Sequence, residues 1–331
     1  MQYKAVIIYN AFVFAAFLKN KKVRIILFIC YWILIISCKK KLELTKVIIL
    51  KDFSSGSAMV SAGDQIYLAG DDAGFICVTD KSFNIIDTIT LEQHPGKRIP
   101  KPVKHDIEAA TLILIKSQPH ILFAGSGSLF PYRNTVTLID IKNGSKNVFD
   151  VQTIYERFKA EGIEQLNIEG AATLANYVIF ANRGNKSYRK NHLIFTSPGF
   201  WNEQRDAAIH IMTIGTNTDT LLFNGVSGLE YSPLSDRLIM TVSTEETHDT
   251  YTDGKIGKSY LWIINDISLK TKRAAINPDQ IIDLEQIDMR FTGQKIESVC
   301  ILEESRKQIT LGLVADNDDG TSVLFKLEFG R

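Results

Sequence analysis

The chain has 331 residues, of which 45% are hydrophobic and 23% are charged, and its formal net charge is +1. These values are ordinary for a globular protein and allow one large domain or two small ones. The chain has no dense basic stripe and no recognised nucleic-acid-reading motif, so we expect no nucleic-acid partner.

A basic block followed by an apolar run marks the N-terminus. The block is Lys19–Arg24, and the run, Ile25–Ser37, is 13 residues without a charge. A helix needs roughly 20 apolar residues to span a bilayer, so the run fits the core of a secretory signal peptide instead. Its end, Ile35-Ile36-Ser37-Cys38, resembles a bacterial lipobox, in which cleavage before the Cys leaves the thiol to carry lipid.

The sequence therefore predicts a lipid-anchored protein of the bacterial cell envelope, outside the cytoplasm. Residues 1–38 are the signal peptide with Cys38 as the lipidation site, residues 39–45 are a short tether, and residues 46–331 are the folded domain. Two alternatives remain open at the N-terminus. One is an uncleaved anchor that pairs with the apolar run Ala5–Leu18, and the other is a true start near Val23.

Two cysteines remain in the predicted folded domain. Cys77 and Cys300 both lie in apolar strand patterns, GFICVTD and ESVCILEE. A free Cys in such a pattern usually behaves as a small buried hydrophobe, and we expect that here. The alternative is a disulfide between them in an oxidising compartment.

Five copies of one pattern follow the predicted tether. Each copy opens with an apolar residue or Gly, then Glu or Ser, then a small residue, and continues into a second apolar strand. The clearest copy is Asn167–Gly184. The Glu or Ser positions, spaced 51, 61, 58 and 70 residues apart, are Ser57, Glu108, Glu169, Ser227 and Glu297.

Short strands separated by turn residues fill each copy. A strand over Lys46–Phe53 precedes the first copy, and a single convincing helix over Ile154–Glu161 ends the second. The last strand of the fourth copy is predicted within Arg273–Leu284. The fifth copy is one strand short.

Four-stranded units at this period predict an all-β protein, a β-propeller with five blades. The strand Lys46–Phe53 can supply the missing strand of the last blade, which closes the ring and leaves no open sheet edge at the seam. The alternative is six blades, in which Asn265–Gly293 forms a blade of its own.

The first strand of each propeller blade lines the central axis, so the Glu or Ser of every copy points to a shared channel. Three carboxylates that converge there repel one another, and a proton or a cation must offset their charge. Oxygen-only ligands favour a hard cation, with Ca²⁺ preferred over Mg²⁺ because its six to eight ligands tolerate an irregular ring. Alternatively, each Glu only accepts hydrogen bonds within its own blade. The predicted metal ligands are Ser57, Glu108, Glu169, Ser227 and Glu297.

Polar loops follow the second strand of each blade on the same face as this ring. Arginines in two of them can hold an anionic group by paired donors, and acidic residues can position water or a second cation. Solvated, charged loops are also common in propellers without any such role. The predicted substrate-binding residues are Asp71, Arg133, Arg183, Glu245, Asp316 and Asn317, with Asp72 as the catalytic candidate.

The order Ser, Glu, Glu, Ser, Glu at first-strand positions, with Asp71-Asp72 closing the first copy, resembles the calcium-activated apyrase family. That resemblance implies a five-bladed propeller with an axial calcium held by the five ring residues, nucleoside di- and triphosphatase activity, and a role for Asp72 in hydrolysis. The phrases GSGS and NRGN also resemble uncharacterised bacterial lipoproteins with phytase-like propeller repeats. The apyrase residues that hold the nucleotide base have no match here.

Two functions therefore stay open. The first is a metal-dependent hydrolase of a phosphorylated small molecule, in which Arg133 and Arg183 stabilise developing charge and Asp72 places the attacking water. The second is a non-catalytic, ligand- or protein-binding propeller with a structural ion. We expect a monomer whose partners are the membrane, through lipid on Cys38, and an anionic small molecule. No Ser-His-Asp order, Cys-His pair or zinc-ligand spacing is visible.

Overall fold

The structure is a computed structural model that describes residues 42–96, 98–215, 223–245, 256–317 and 320–330. Most of these residues lie in β-sheets. The predicted signal peptide, Cys38 and residues 39–41 of the tether lie outside the described residues. Leu42–Arg331 group into one unit. No helix among the described residues is long and apolar enough to cross a membrane.

Five sheets follow one another along the chain, each with its first strand next to the first strands of two neighbouring sheets, so the protein is a five-bladed β-propeller. Blade 1 consists of β2 (Gly56–Ala62), β3 (Gln65–Gly70), β4 (Phe75–Asp80) and β5 (Ile85–Thr90). Blade 2 consists of β6 (Ile107–Ile115), β7 (Gln118–Gly125), β8 (Thr135–Asp140) and β9 (Lys146–Asp150). Blade 3 consists of β10 (Ile168–Leu174), β11 (Tyr177–Asn182), β12 (Asn191–Thr196) and β13 (Ile209–Ile214).

Blade 4 consists of β14 (Phe223–Ser232), β15 (Arg237–Glu245), β16 (Ile256–Asn265) and β18 (Gln280–Asp283). Blade 5 consists of β19 (Ile296–Glu304), β20 (Gln308–Asp316), β21 (Ser322–Gly330) and the N-terminal strand β1 (Leu42–Leu50). The prediction of five blades is confirmed, and the segment proposed as a sixth blade contributes β18 to blade 4 instead.

Strand β1 closes the ring, as predicted, by pairing antiparallel with β21 from Leu42 opposite Phe329 to Leu50 opposite Ser322. It begins four residues before the predicted Lys46, because Leu42 and Leu44 bury their side chains in the core between blades 4 and 5. Residues 42–45, predicted as tether, therefore belong to the strand. With this pairing no blade in the described ring lacks its outer strand, which removes an exposed edge at the seam.

The segment predicted as one final strand of blade 4 is divided between two blades. The short strand β17 (Ala275–Ile276) pairs parallel with β13 and so extends blade 3, while β18 pairs with β16. The backbone N–H of Gly215 donates to the carbonyl of Ile276, 2.9 Å away, and Ile276 is buried. One blade thus has five strands, because the connection crosses the blade boundary before it turns back.

Five hydrophobic clusters form the core, one between each pair of neighbouring blades. Large buried side chains in them include Phe123 between blades 1 and 2, Phe180 between 2 and 3, Trp262 between 3 and 4, Phe325 between 4 and 5, and Met59 between 5 and 1. Each such side chain contributes roughly 1.5–3 kcal/mol through burial. Cys77 and Cys300 are free and buried in the cluster between blades 5 and 1.

The predicted helix is present as α1 (Gln152–Ala160) between blades 2 and 3. Its buried face, Ile154, Tyr155 and Phe158, packs into the cluster between these blades. The Tyr155 hydroxyl donates to the carbonyl of Gly125 at the end of β7, 2.8 Å away. The helix therefore supports the loop that leads from β7 towards the channel.

Candidate functional site

A β-bulge marks the predicted ring position in the first strand of every blade. The register of β2 with β3 shifts between Gly56 and Ala58, and equivalent shifts occur in the other four blades. A bulge leaves its extra residue unpaired and turns that side chain out of the regular alternation. The five residues at these bulges are Ser57, Glu108, Glu169, Ser227 and Glu297.

The small residue after each ring position lies where first strands of neighbouring blades touch. A Cβ added at Gly170 would lie 2.7 Å from the backbone N of Leu229, and one added at Gly228 would lie 2.8 Å from Cα of Ser298. Larger side chains do not fit at such distances. The repeat therefore has a small residue at this position because the first strands pack closely around the axis.

We call this end of the channel the mouth; it is formed by the ring residues and by the loops that follow the second strands. Main-chain hydrogen bonds link these loops to one another. In blades 1 and 2, the N–H groups of Asp71 and Ser126 donate to the carbonyls of Ser55 and Asp106. The N–H of Asp106 in turn donates to Asp71 O of the preceding blade, 3.0 Å away. The loops of neighbouring blades are thereby held in fixed register.

Three carboxylates of blades 1 and 2 converge at the mouth. One oxygen each of Asp71, Asp106 and Glu108 lies within 4.8 Å of the others. Asp106 adopts a left-handed backbone conformation, with φ of 54°, which is uncommon for a residue other than Gly. The same conformation occurs at Ser55, the equivalent position of blade 1. We call Asp71, Asp106 and Glu108 the acidic triad.

Two buried cations contact the acidic triad. Lys104 Nζ contacts Asp71 Oδ2 and lies 2.8 Å from Asp106 Oδ1. Arg133 Nη1 lies 2.8 Å from Asp106 Oδ2, and Arg133 Nη2 donates to the carbonyl of Lys101, 3.1 Å away. Burial lowers the pKa of Lys104, but the charges of Asp71, Asp106 and Glu108 outweigh burial, so the pKa lies above its usual range. Lys104 therefore remains charged.

Among the described residues, Glu108 is the triad member that no cation contacts directly. Within the described part of the chain, its carboxylate makes no hydrogen bond and no ion pair. Burial, followed by the charges of Glu169, Asp106 and Asp71, raises the pKa of Glu108 well above its usual range, and the charge of Lys104 opposes this only in part. Asp71 Oδ1 is also shielded from solvent and accepts no hydrogen bond from any described residue. Burial, more than any neighbouring charge, raises the pKa of Asp71 as well.

Arg183 compensates the carboxylates on the other side of the mouth. Its Nη1 lies 3.6 Å from Glu169 Oε2 and 4.0 Å from Glu297 Oε2, and its Nη2 donates to Ser243 Oγ, 3.2 Å away. The side chain from blade 3 thus reaches blades 4 and 5. A Cβ added at Gly225 would lie 2.4 Å from Arg183 Nε, so only Gly leaves room for this arginine.

The remaining ring residues have partners within the propeller. Lys295 Nζ lies 2.8 Å from Glu297 Oε1. The hydroxyls of Ser57 and Ser227 donate to the carbonyls of Ile107 and Ile296, at 2.5 and 2.6 Å. These carbonyls belong to the next blade in each case. Both serines therefore join neighbouring blades.

Asp72, the catalytic candidate, lies beside the triad and is also paired. Its Oδ2 accepts a hydrogen bond from Arg98 Nε, 2.6 Å away, and its Oδ1 accepts one from the Ser55 hydroxyl. The backbone N–H of Ile99 donates to Asp72 O at 2.8 Å. The Arg98 side chain is 44% exposed, so Arg98 is the mouth arginine with greatest access to solvent.

The other predicted loop residues belong to blades 4 and 5, and the charge of Asp316 acts on Arg98. Asn317 accepts a hydrogen bond from the N–H of Lys295 and donates to Gln294, and the N–H of Asp316 donates to Lys295 O. Glu245 is the last residue of β15, and its side chain lies outside the described residues.

The structure brings together four functional candidates that the sequence argument missed: Arg98, Lys104, Asp106 and Lys295. One signal for two of them was present. Asp106 and Lys295 both lie two residues before a ring glutamate, as do Ser55, Asn167 and Gly225 before their own ring residues. Alignment of the copies would have identified this second column. Arg98 and Lys104 come from the long connection between blades 1 and 2, which has no counterpart in the repeat.

The chain matches one family model. Residues 52–329 match DUF6929, described as a family of unknown function. No curated protein matches the chain.

Several solved structures are similar over most of their length at low identity. One is the Myxococcus xanthus glutaminyl cyclase, with 8% identity, coverage of 88% of this chain and 98% of that chain, and a TM-score of 0.49. Another is a putative exported protein from Bacteroides fragilis, with 8% identity, coverage of 86% and 94%, and a TM-score of 0.38. A third is a member of the duf4221 family from Bacteroides vulgatus, with 9% identity, coverage of 88% and 99%, and a TM-score of 0.35. At these TM-scores they carry no argument about this chain.

Proposed function

The chain belongs to DUF6929, a family of unknown function, and we propose that its propeller binds a divalent cation at the acidic triad, with Ca²⁺ as the preferred ion. The observation that carries this proposal is the state of Glu108. It is a carboxylate at the mouth of the channel, surrounded by other carboxylates, with no ion pair or hydrogen bond among the described residues. A bound cation would relieve this repulsion.

The chemistry of the triad fits a hard cation. All three candidate ligands are carboxylates, and carboxylate oxygens suit Ca²⁺ and Mg²⁺ rather than softer metals. Asp71 Oδ1, buried without a hydrogen bond, is an oxygen that a cation would satisfy. The irregular spacing of a triad drawn from a loop, a strand end and a bulge favours Ca²⁺, because Mg²⁺ demands near-ideal octahedral geometry.

The cation position differs from the one expected from the ring alone. Of the five predicted ring ligands only Glu108 belongs to the triad, and Glu169 and Glu297 are engaged by Arg183. We therefore propose an ion at blades 1 and 2 rather than on the axis. Its role is to complete a binding face for an anionic small molecule.

Binding is favoured over hydrolysis by the partners of the predicted catalytic groups. Arg133 and Arg183 are buried against carboxylates, so neither presents a free fork to a phosphate. Asp72 is engaged by Arg98 and Ser55. A catalytic base must be within reach of the proton it removes, and these contacts compete with that role.

Calcium-dependent hydrolysis of a phosphorylated small molecule, as in apyrases, is the second candidate. The observation that favours it is that the triad, Asp72 and the half-exposed Arg98 lie side by side at the mouth. In that case Arg98 is the residue that contacts a phosphate group, because its side chain is 44% exposed. The cation would polarise a phosphoryl oxygen.

Lipidation of Cys38 and a location in the bacterial cell envelope are part of the proposal. They rest on the sequence, since residues 1–41 lie outside the described residues. Cys38→Ala is expected to release the protein from the membrane fraction or to leave a precursor of higher mass. Unchanged fractionation and unchanged mass would contradict the anchor.

The experiment for the cation is a melting curve of protein stripped with a chelator, with and without Ca²⁺. An ion that binds the native state alone adds about 2.7 kcal/mol of stability at a hundredfold excess over Kd. Glu108→Gln is expected to remove most of this gain, while Glu303→Gln, an exposed residue of the same strand type, retains it. Equal melting curves with Ca²⁺ and chelator in the wild type would reject the site.

The same preparations decide between the two candidates. Phosphate release is measured from nucleotides, sugar phosphates and inositol phosphates, with Ca²⁺ and with chelator. We expect no turnover. Calcium-dependent turnover that falls by a hundredfold or more in Asp72→Asn would establish the hydrolase instead.

A further inference from the structure

Lys104 already lies where a divalent cation would bind. Its Nζ contacts Asp71 and is 2.8 Å from Asp106, two of the three members of the acidic triad. Only 7% of the residue is exposed, so the ammonium is not a loose surface charge. The propeller thus carries a cation of its own at the proposed site.

The lysine comes from a segment that the fold holds at the mouth. The N–H groups of Val103 and Lys104 donate to the carbonyl of Pro100, and Arg133 Nη2 donates to Lys101 O. These contacts anchor the turn at residues 100–104 between blades 1 and 2. The side chain of Lys104 has rotatable bonds beyond this anchored backbone, so its ammonium can leave the carboxylates while the turn stays in place.

An ammonium and a divalent ion at the triad would share the carboxylate groups of Asp71 and Asp106, which Lys104 contacts through Asp71 Oδ2 and Asp106 Oδ1. Two cations that share these groups would repel each other strongly in a partly desolvated site. The lysine satisfies only part of the triad, because Glu108 makes no ion pair with it. A divalent ion has the charge to engage all three carboxylates.

We propose that Lys104 is a built-in competitor of the cation: its ammonium holds Asp71 and Asp106 when no divalent ion is bound, and ion binding displaces it towards solvent. The inference rests on the proposed cation site and defines its regulation. Cation binding is an exchange of one bound charge for another, so affinity is lower than the three carboxylates alone would give. Exchange also couples ion binding to the exposure of a lysine at the channel mouth.

Calcium affinity of Lys104 variants tests the exchange, measured by titration calorimetry on protein stripped with a chelator. Lys104→Met removes the charge and is expected to bind Ca²⁺ at least about tenfold more tightly than the wild type, a difference of roughly 1.4 kcal/mol. Lys104→Arg keeps the charge and is expected to show no gain. Lys295→Met, which removes the lysine beside Glu297 on the other side of the mouth, is the matched control and is expected to stay close to the wild type.

A second measurement uses the unmodified sequence, so that it holds even where Lys104→Met fails to fold. The wild-type protein is treated with an amine-acetylating reagent, with Ca²⁺ or with chelator, and acetylation is read by peptide mass spectrometry. Lys104 is expected to be protected in chelator and to react severalfold faster in Ca²⁺. Lys295 is expected to react equally in both.

The outcomes separate the two claims. Wild-type binding with no gain in Lys104→Met, or with Lys104 equally protected under both conditions, overturns the exchange and leaves the cation site standing. Absence of Ca²⁺ binding in the wild type and in Lys104→Met overturns both. Binding in Lys104→Met alone supports Lys104 as the competitor and rejects the wild-type cation site.

Discussion

Clustered carboxylates lie on both sides of the mouth, and different cationic side chains compensate them on each side. In blades 3 to 5, Arg183 reaches Glu169, Glu297 and Ser243 with one planar guanidinium. In blades 1 and 2, Lys104 reaches Asp71 and Asp106 but leaves Glu108 without an ion pair. An arginine fork can serve two carboxylates at once, whereas a lysine is a compact point charge. A carboxylate repeated at one position therefore need not have a repeated function.

The largest effect is expected on the arginine side. Arg183→Met removes the cation beside Glu169, while Glu297 keeps its ion pair with Lys295. Breaking a buried pair such as that of Arg183 with Glu169 typically costs about 3–5 kcal/mol of folding stability. Urea denaturation measures the loss. The control is Arg98→Met, which breaks the pair of Asp72 with a half-exposed arginine. Asp72 keeps its hydrogen bond from Ser55, and the expected cost is about 1 kcal/mol or less. Equal losses of stability in the two variants would contradict the conclusion that Arg183 stabilises the fold more than Arg98 does.

A fourth glutamate, Glu230, extends the comparison, because protonation rather than a cation neutralises its charge. Glu230 accepts hydrogen bonds from the backbone N–H groups of Tyr231 and Ile301, and it has no ion pair in the described part of the chain. Burial, with a smaller effect of Glu304, raises the pKa of Glu230 to about 7, against an ordinary value of 4.5.

Stability is expected to depend on pH through this group. Since the pKa is raised in the folded state, the contribution of Glu230 is fully present below about pH 4.5 and is lost as pH rises through 7. The loss is roughly 3 kcal/mol at 1.36 kcal/mol per pKa unit. Denaturation curves between pH 5 and 8 are expected to show it in the wild type, and Glu230→Gln is expected to be flatter. Parallel pH profiles of the two proteins would contradict the prediction.

Filling the space beside Arg183 is expected to have a smaller effect on folding stability. Gly225→Ala places a Cβ within 2.4 Å of Arg183 Nε, so the pinned guanidinium must shift. We expect a loss of about 1–3 kcal/mol, as for other overpacked buried sites. Gly199→Ala is the matched control, since the nearest atom to its Cβ is Glu203 Oε1 at 4.0 Å and Gly199 has no positive φ. A neutral Gly225→Ala would show that Arg183 has freedom to move.

The smallest effects are expected to have opposite signs. Without divalent ions, Glu108→Gln removes a carboxylate that its neighbours repel, and it is expected to raise stability by about 1 kcal/mol above neutral pH. The gain grows with pH, because the raised pKa of Glu108 makes its ionisation unfavourable in the folded state. Glu169→Gln removes a partner of Arg183 and is expected to lower stability. Melting curves in chelator measure the stability changes of the two variants. Shifts of the same sign would contradict the conclusion that Glu169 is compensated and Glu108 is not.

Repeated features were predictable because every blade needs them. The apolar alternation of the strands, the small residue at the axis and the Glu or Ser at the bulge recur in each copy, and each follows from how one blade packs on the next. The closing strand was predictable for a related reason, since the fifth copy lacked an outer strand and a ring cannot leave an edge unpaired. The start of β1 was not, because Leu42 and Leu44 find their core only after the ring has closed.

The partners of the charged residues were not predictable from the repeat. Arg98 and Lys104 lie in a connection that occurs once, and the positions of their side chains depend on the loops of two blades. The division of Arg273–Leu284 between two blades has the same origin, because the pairing of Ala275–Ile276 with β13 depends on the nearness of blade 3.

The sequence by itself determined the number of blades, the strand that closes them and the ring position, because these are set by periodic burial and by short-range turns. The tertiary structure decided which ring carboxylates are compensated and which one is not. Long-range charge pairing caused that division, since Arg183 lies 114 residues from Glu297 and Lys104 lies 33 residues from Asp71 in the chain. Glu108 differs from Glu169 through its neighbours in space and not through its place in the repeat.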